Sequence, residues 1–385
     1  MKEENRRYAE EAFEIVEHAA KKIGSRLPGS DGEKEYAAYM GDKLRSIGIE
    51  PVREEFAVSP RASIGGIPYA GYLGLIMSAL VYVALHLSAV WYGMALASVV
   101  CWVWLILSVF LYKTWFDMFF KQEISQNTYG ELLPPDGKYD YTIILSGHTD
   151  TSWCWRHSAH ASKFKKTKPA MGLVATFAKV GFGVICFLFL TAVSIAMTVI
   201  SSGVYFGEVW ALKIANSASF ANFLFAMHFL PVVTAIGCMF VVMWADPNPR
   251  NASRGAMDNA TGCALSFAVT KYFHDHPEKM PKNCRIIDFN CGSEEAGLRG
   301  SIAFTREHKG EPILENTWNI NIDSVADKDF FEVVIKDDWQ FCRFDTDLEK
   351  MFKDTFNELG IVSKTNGCIH NPVGGCDSTP MTKAG

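Results

Sequence analysis

Apolar residues recur every three to four positions between Tyr8 and Ile47, which predicts two amphipathic helices at the start of the chain. The first helix is expected to end at Gly24. The second is expected to begin at Ser30, because Ser30 and Glu33 have the spacing of a capping box. The next run, residues 49–58, is typical of a strand. The chain therefore begins as an α/β unit.

Two later blocks are almost free of charged residues. Residues 62–112 contain no Asp, Glu, Lys or Arg. About 20 apolar residues span a bilayer, so this block can hold two helices with a turn near 86–91. The second block, about 172–245, predicts two more helices at about 176–202 and 217–245. A charge at mid-membrane costs about 2.5–3.5 kcal/mol, so we predict four transmembrane helices in two hairpins.

Strands and helices alternate in the last third of the chain. The predicted strands are 285–290, 318–322 and 331–335, with an earlier strand at 141–145, and the predicted helices are 298–308 and 345–359. This alternation favours a mixed, mainly parallel sheet that is covered by helices on both faces. The fold class is therefore α/β.

The two hairpins divide one domain into three parts. We predict these parts at 1–66, 114–171 and 246–385, and the hairpins at 67–113 and 172–245. Each hairpin crosses twice, so all three polar parts are expected on one side of the membrane. The lysines and arginines that flank the helices on this side are Arg61, Lys113, Lys121, Lys163, Lys165, Lys166, Lys168, Arg250 and Arg254. Lys213 lies on the other side, so the positive-inside rule places the polar domain in the cytoplasm.

The composition of the chain limits the kinds of molecule that the protein is expected to bind. The formal net charge is −5 and no basic stripe is present, which argues against nucleic acid. The ten cysteines form no C-x-x-C pair, a pattern typical of free thiols in a reducing compartment. The charged N-terminus does not have the apolar core of a secretory signal peptide. The sequence therefore indicates a membrane as the partner. The sequence does not determine the oligomeric state.

Acidic and imidazole side chains follow the predicted strands. The candidates after strands are His148, Asp150, Glu294, Glu295 and Asp323, and Asp258 lies in a turn that opens a helix. Each of these residues alone has an ordinary structural explanation, such as a helix cap or a solvated surface acid. Ligands bind at the carboxyl ends of strands in such sheets, so together these groups can converge on one small volume. A mixed N/O ligand set suits zinc.

The residues of these motifs and their order along the chain resemble a known family. SGHTD, GAMDNATG, NCGSEEAGLRGS and NIDSV occur in this order, and the segment GSRLPGSDGEKEYAAYM precedes them. This pattern closely resembles the co-catalytic zinc aminopeptidase family, which includes leucyl aminopeptidases and glutamate carboxypeptidases. The chain would be a membrane-inserted, bacterial-type member. The resemblance implies a three-layer αβα sandwich, two zinc ions and a peptide substrate cleaved at its N-terminal end, at the membrane surface.

The resemblance also implies a role for each candidate. His148 and Asp323 would bind one zinc, and Asp258 would bridge both ions. Glu295 would bind the second zinc, Glu294 would be the general base, and Asp150 would orient His148. Two zinc ions would then activate a water and polarise the scissile carbonyl. Glu294 would take the proton of this water and return it to the leaving amine.

One ligand departs from the family pattern. The family has a His in a sequence like S-D-H-x-P-F, and Ser378 occupies that position here. His370, or a His beyond Gly385, could replace it. We therefore expect two zinc ions, or one if the last ligand is missing.

Other interpretations stay open. An inactive peptidase-like binding or assembly module is the main alternative, because Ser378 replaces a ligand. A carboxypeptidase or a cyclising acyltransferase would use the same metal scaffold. A transporter is disfavoured, because the apolar helices contain few polar groups beyond His86 and His228. A metal pair at His157 and His160 and a glycosylation acceptor at residues 251–253 are not expected to be functional.

Overall fold

A computed structural model of the chain describes residues 3–154, 156–157, 169–244, 253–325, 331–361, 368–371 and 375–384. The chain separates into two units. Unit 1 comprises Met1–Ile64, Ser108–Trp153 and Asn248–Gly385, and unit 2 comprises Gly65–Leu107 and Cys154–Pro247. The predicted site residues all belong to unit 1.

Unit 1 begins with the two predicted helices. Helix α1 (Glu3–His18) continues through a π turn to Gly24, whose φ of +85° favours glycine. Helix α2 (Asp31–Ser46) begins at Ser30, whose Oγ accepts a hydrogen bond from the Glu33 backbone N–H at 3.4 Å. The other half of the predicted capping box does not form, because the Glu33 carboxylate binds Gly29 and Ser293 instead.

A five-stranded sheet forms the centre of unit 1. Its strands are β1 (Val52–Val58), β2 (Glu123–Leu132), β3 (Tyr141–His148), β4 (Cys284–Cys291) and β5 (Thr317–Asn321), in the order β1-β2-β4-β3-β5. β3 pairs in parallel with β4 and β5, whereas β2 is antiparallel to β1 and β4. The sheet is therefore mixed, as predicted, but its two parallel pairings are matched by two antiparallel ones instead of outnumbering them. Strand β2 was missed because buried polar residues, such as Asn127, hide its alternation.

Helices cover both faces of this sheet. Leu145 and Ile286 pack with Phe273 of helix α9 (Thr261–Asp275) on one face. Ile287 and Phe289 pack with Phe304 of helix α10 (Arg299–Glu307) on the other face. Neighbouring residues of one strand point to opposite faces, so Ile286 and Ile287 serve different layers. This arrangement agrees with the expected αβα layering.

A second, three-stranded sheet follows. It contains β6 (Val333–Asp337), β7 (Cys342–Arg343) and β8 (Cys368–Asn371) in the order β7-β6-β8. Helices α11 (Thr346–Glu358) and α12 (Ser378–Ala384) complete the described part of unit 1. The sequence predicted β6 approximately and α11 closely, but not the short strands β7 and β8.

Unit 2 is helical. It contains α3 (Ile67–Ala84), α4 (Ala89–Trp104, continued by a π turn to Phe110), α5 (Pro169–Tyr205), α6 (Val209–Ala215), α7 (Ala218–Ala226) and α8 (Leu230–Val242). Among the residues that the structure describes, three helical stretches are long and apolar enough to cross a membrane: Ile64–Ala84, Ala89–Phe110 and Phe177–Tyr205. A fourth span exists only if α7 and α8 count as one, and these two are bent by 48°. The single helix predicted at 217–245 is thus broken, since Pro231 cannot continue a helix through its ring nitrogen.

Candidate active site

The carboxyl ends of β3, β4 and β5 collect the predicted site residues. His148 is the last residue of β3, and Asp323 follows β5 by two residues. Glu294 and Glu295 follow β4, and Asp258 lies in the turn before α9. Because β3 runs parallel to β4 and β5, these strand ends are adjacent.

His148, Asp258 and Asp323 form a set of possible metal ligands, called here the His148 group. His148 Nε2 lies 3.0 Å from Asp258 Oδ1 and 3.9 Å from Asp323 Oδ2. One ligand atom from each residue lies within 4.8 Å of the other two. Two ligands of a tetrahedral zinc lie about 3.3–3.6 Å apart, because Zn–N and Zn–O bonds are about 2.0–2.2 Å long. The spacing and the donor set therefore fit zinc, and no other such trio occurs among the described residues.

Asp150 connects this group to the two glutamates. It is fully buried, and its Oδ1 lies 3.3 Å from His148 Nδ1. Its two carboxylate oxygens accept hydrogen bonds from the backbone N–H groups of Glu294 and Glu295, both at 2.9 Å. One buried carboxylate thus orients the imidazole and the glutamate turn together, as outer-shell carboxylates do in metal sites.

Glu294 faces the same imidazole. Its Oε2 lies 3.9 Å from His148 Nε2. Burial raises the pKa of Glu294 well above its usual range, and Glu295, Asp377 and Asp323 raise it further against the opposing effect of His148. Burial and Asp258 likewise raise the pKa of Glu295. These acids crowd a small volume, so a cation there would relieve their repulsion.

The pKa of His148 is consistent with this surplus of negative charge. Burial lowers it, but Asp150, Asp258 and Glu294 outweigh burial, so the pKa lies well above its usual value. The imidazole is thus surrounded by acids on both nitrogens. A metal ion would take the place of the proton on Nε2.

Two buried residues that position the site were not predicted as such. Glu33 accepts hydrogen bonds from the backbone N–H of Ser293 at 2.6 Å and from its Oγ at 2.9 Å, and so holds the residue before Glu294. Arg26 donates to the carbonyls of Thr149 at 2.7 Å and Gly255 at 2.9 Å, on either side of the site. Glu33 had been interpreted only as a cap, and a single Arg in the sequence carries no signal.

The last-ligand position has a different environment. Residues 375–378 are called here the Ser378 segment. Ser378 Oγ donates to Asn319 Oδ1 at 2.7 Å, and the neighbouring Asp377 accepts from Ser301 Oγ at 2.7 Å. Burial raises the pKa of Asp377 to about 6. His370 lies on β8, where its Nδ1 is 3.4 Å from Asp338. His370 does not belong to the His148 group.

The two features that were not expected to be functional fall partly outside the described residues. His157 Nε2 lies 3.0 Å from the carbonyl of Phe240, which is an ordinary structural contact, while His160 is not described. Asn251 and Ala252 of the glycosylation motif are also outside the described residues.

An imidazole and two aspartates that fit zinc, with a glutamate carboxylate beside them, define the class of metal-dependent hydrolases. Residues 239–377 match the sequence model of peptidase family M28. The matched region includes Asp258, Glu294, Glu295 and Asp323, but not His148. The match covers only this part of the chain, and it supports the predicted class, a zinc metallopeptidase.

The solved structures that match the chain include enzymes of two activities. A zinc aminopeptidase from Bacillus subtilis is 12% identical, with 98% of this chain and 82% of that chain covered and a TM-score of 0.48. A leucine aminopeptidase precursor from Bacteroides thetaiotaomicron is 12% identical, with 98% of this chain and 81% of that chain covered and a TM-score of 0.47. A glutaminyl cyclase from Porphyromonas gingivalis is 11% identical, with 98% of this chain and 80% of that chain covered and a TM-score of 0.46. No curated protein sequence matches the chain. The likeness to the family thus rests on the sequence match over residues 239–377.

Proposed function

We propose that the protein is a zinc-dependent exopeptidase of the aminopeptidase type, which removes N-terminal residues from peptides at a membrane surface. The observation that carries this proposal is the His148 group with Glu294 Oε2 3.9 Å from His148 Nε2. A metal held by this group would lie beside a carboxylate that can accept a proton. This is the pair of functions that peptide hydrolysis by water requires.

Each residue then has one task. His148, Asp258 and Asp323 would hold a zinc ion, which supplies Lewis-acid polarisation of the carbonyl and a more acidic water. Glu294 removes a proton from the attacking water and delivers it to the leaving amine nitrogen as the C–N bond breaks. Asp150 keeps His148 and both glutamate backbones in place. Glu295, with Asp258, would contribute to a second zinc, for which Ser378 does not provide the expected imidazole.

The proposed location is integral to a membrane, with four transmembrane helices and the catalytic domain in the cytoplasm. The long apolar helices support insertion, and the flanking lysines and arginines support the orientation. Retention of the protein in the membrane pellet after an alkaline wash is the expected result, and release into the supernatant would contradict insertion. A reporter enzyme fused near Lys213 is expected to lie outside the cytoplasm.

The test of the activity compares the purified wild type with Glu294→Gln, and uses Glu50→Gln as the matched control. Glu50 is an exposed glutamate whose only described ion pair is with Arg45. We expect bound zinc and release of p-nitroaniline from an aminoacyl p-nitroanilide in the wild type and in Glu50→Gln. Glu294→Gln should retain zinc but lose at least about 10²-fold in kcat, because the proton acceptor is removed.

The alternative, an inactive binding module, is favoured only by Ser378 at the last-ligand position. Metal-free wild-type protein that hydrolyses no aminoacyl substrate would support this alternative and overturn the peptidase proposal.

A further inference from the structure

Tyr112 is buried but has a free hydroxyl group. Only 6% of the residue is exposed. Its hydroxyl makes no hydrogen bond to any residue within the described ranges. The hydroxyl oxygen is not among the fully enclosed polar atoms without a partner, although most of the residue is buried. This hydroxyl is therefore available to a molecule that the chain itself does not contain.

The backbone of Tyr112 is held in place. Its φ is +53°, a conformation that residues other than glycine rarely adopt. Its carbonyl accepts a hydrogen bond from Arg299 Nη1 at 2.8 Å, and Arg299 is anchored in turn by Asp117 at 3.1 Å. A backbone outlier that is held by a buried arginine points to a constrained position of the side chain.

The ring lies between Gly297, in the turn after β4, and Gly375, in the Ser378 segment. A Cβ atom on Gly297 would come within 3.1 Å of Tyr112 Cδ1, and one on Gly375 within 2.6 Å of Tyr112 Cε2. Gly297 closes the turn that starts at Glu294, since its N–H donates to the Glu294 carbonyl at 2.8 Å. Gly375 belongs to the Ser378 segment. The two glycines thus provide the space that the ring occupies.

The acidic groups of the site affect the pKa of the Tyr112 hydroxyl. The pKa of Tyr112 is raised well above its usual value, first by burial and then by Glu294, Asp337 and Glu295. The phenol therefore keeps its proton at neutral pH and remains a donor.

We propose that the Tyr112 hydroxyl donates a hydrogen bond to the scissile carbonyl oxygen of the substrate, which makes Tyr112 a catalytic residue. This inference rests on the proposed peptidase function. As the water oxygen bonds to the carbonyl carbon, the π pair moves onto the carbonyl oxygen and the hydrogen bond strengthens. When that pair returns, the C–N bond breaks and the amine takes the proton held by Glu294. Tyr112 keeps its own proton throughout.

Tyr112 lies at the end of the first apolar block, within unit 1. Tyr112 is the last residue of the charge-free run that begins at Ala62, and it follows the π turn of α4 by two residues.

The test compares Tyr112→Phe with Tyr129→Phe in the full-length protein. Tyr129 is also buried in unit 1, but its hydroxyl donates to Glu54 at 2.8 Å, away from the site residues. We expect Tyr112→Phe to lower kcat about 10²-fold with KM and zinc content unchanged, as when one oxyanion donor is lost. Tyr129→Phe should retain the wild-type kcat.

A binding measurement separates catalysis from folding. A phosphinic dipeptide, whose tetrahedral phosphorus carries an oxygen where the oxyanion would be, should bind Tyr112→Phe more weakly by about the factor lost in kcat. The free amino acid product should bind both proteins equally. Equal phosphinate affinities, or a wild-type kcat in Tyr112→Phe, would overturn the inference. A wild type without hydrolytic activity would instead overturn the proposed function itself.

Discussion

The His148 group and the Ser378 segment belong to the same unit, and they differ in what surrounds their polar side chains. In the first, ligand atoms of an imidazole and two aspartates lie within 4.8 Å of one another. In the second, Ser378 is paired with Asn319, and Asp377 is paired with Ser301. Ser378 thus has a neutral partner, although the second oxygen of Asp377 has none, whereas the acids of the His148 group crowd one imidazole and would be stabilised by a cation. The comparison indicates that metal binding depends mainly on the His148 group.

The largest effect should come from His148→Ala, with His370→Ala as the matched control. His148→Ala removes the only imidazole of the group and is expected to abolish both zinc binding and hydrolysis. His370 faces Asp338 on a different sheet, so His370→Ala should retain both. Zinc content by mass spectrometry and the initial rate of hydrolysis measure the two outcomes. A loss of zinc in His370→Ala would show that the two regions share their ligands.

An intermediate effect is expected for Ser378→His. This change restores the family's imidazole beside Asp377, so the zinc-to-chain ratio should rise by about one ion. Ser378→Ala is the control, because it removes the hydrogen bond to Asn319 without adding a ligand. If the wild type already binds about two ions per chain, the Ser378 segment, or another residue, completes the second site as it stands.

The smallest effect on activity is expected for Asp288→Asn, which lies within β4 and away from both regions. Burial raises the pKa of Asp288 from 3.8 to about 8. The folded state therefore holds this proton more tightly, so its contribution to stability is complete below pH 3.8 and is lost as pH rises through about 8. Asp288→Asn should match the wild type at pH 4 and be more stable at pH 8, by about 1–3 kcal/mol.

Thermal unfolding in detergent at these two pH values, together with hydrolysis at pH 7, measures this difference. An equal stability gain at both pH values would show that Asp288 does not titrate in this range.

Local pattern predicted the regular elements well. Helices α1, α2 and α11 and strands β3, β4 and β5 appear close to the expected positions, because each follows from the spacing of apolar residues, often with a stop or cap signal. Strand β2 was missed, because its central residues are polar and are buried only through their tertiary contacts. The break between α7 and α8 could have been inferred from Pro231.

The roles of individual side chains were harder to predict. Ser30 and Glu33 have the spacing of a capping box, yet the Glu33 carboxylate lies across the unit on Ser293, 260 residues away. Nothing in the local sequence distinguishes these two uses of a glutamate. Tyr112 is a similar case, since it appears in the sequence as the last residue of an apolar run.

The sequence by itself determined the class of protein, the six candidate residues and the apolar helices, because motif order and residue spacing are local properties of the chain. Tertiary structure alone decided that His148, Asp258 and Asp323 approach within bonding reach of one ion, that Asp150 links them to the glutamates, and that Tyr112 lies between Gly297 and Gly375. These contacts join residues far apart in the chain, and only the packing of the sheet and its covering helices brings them together.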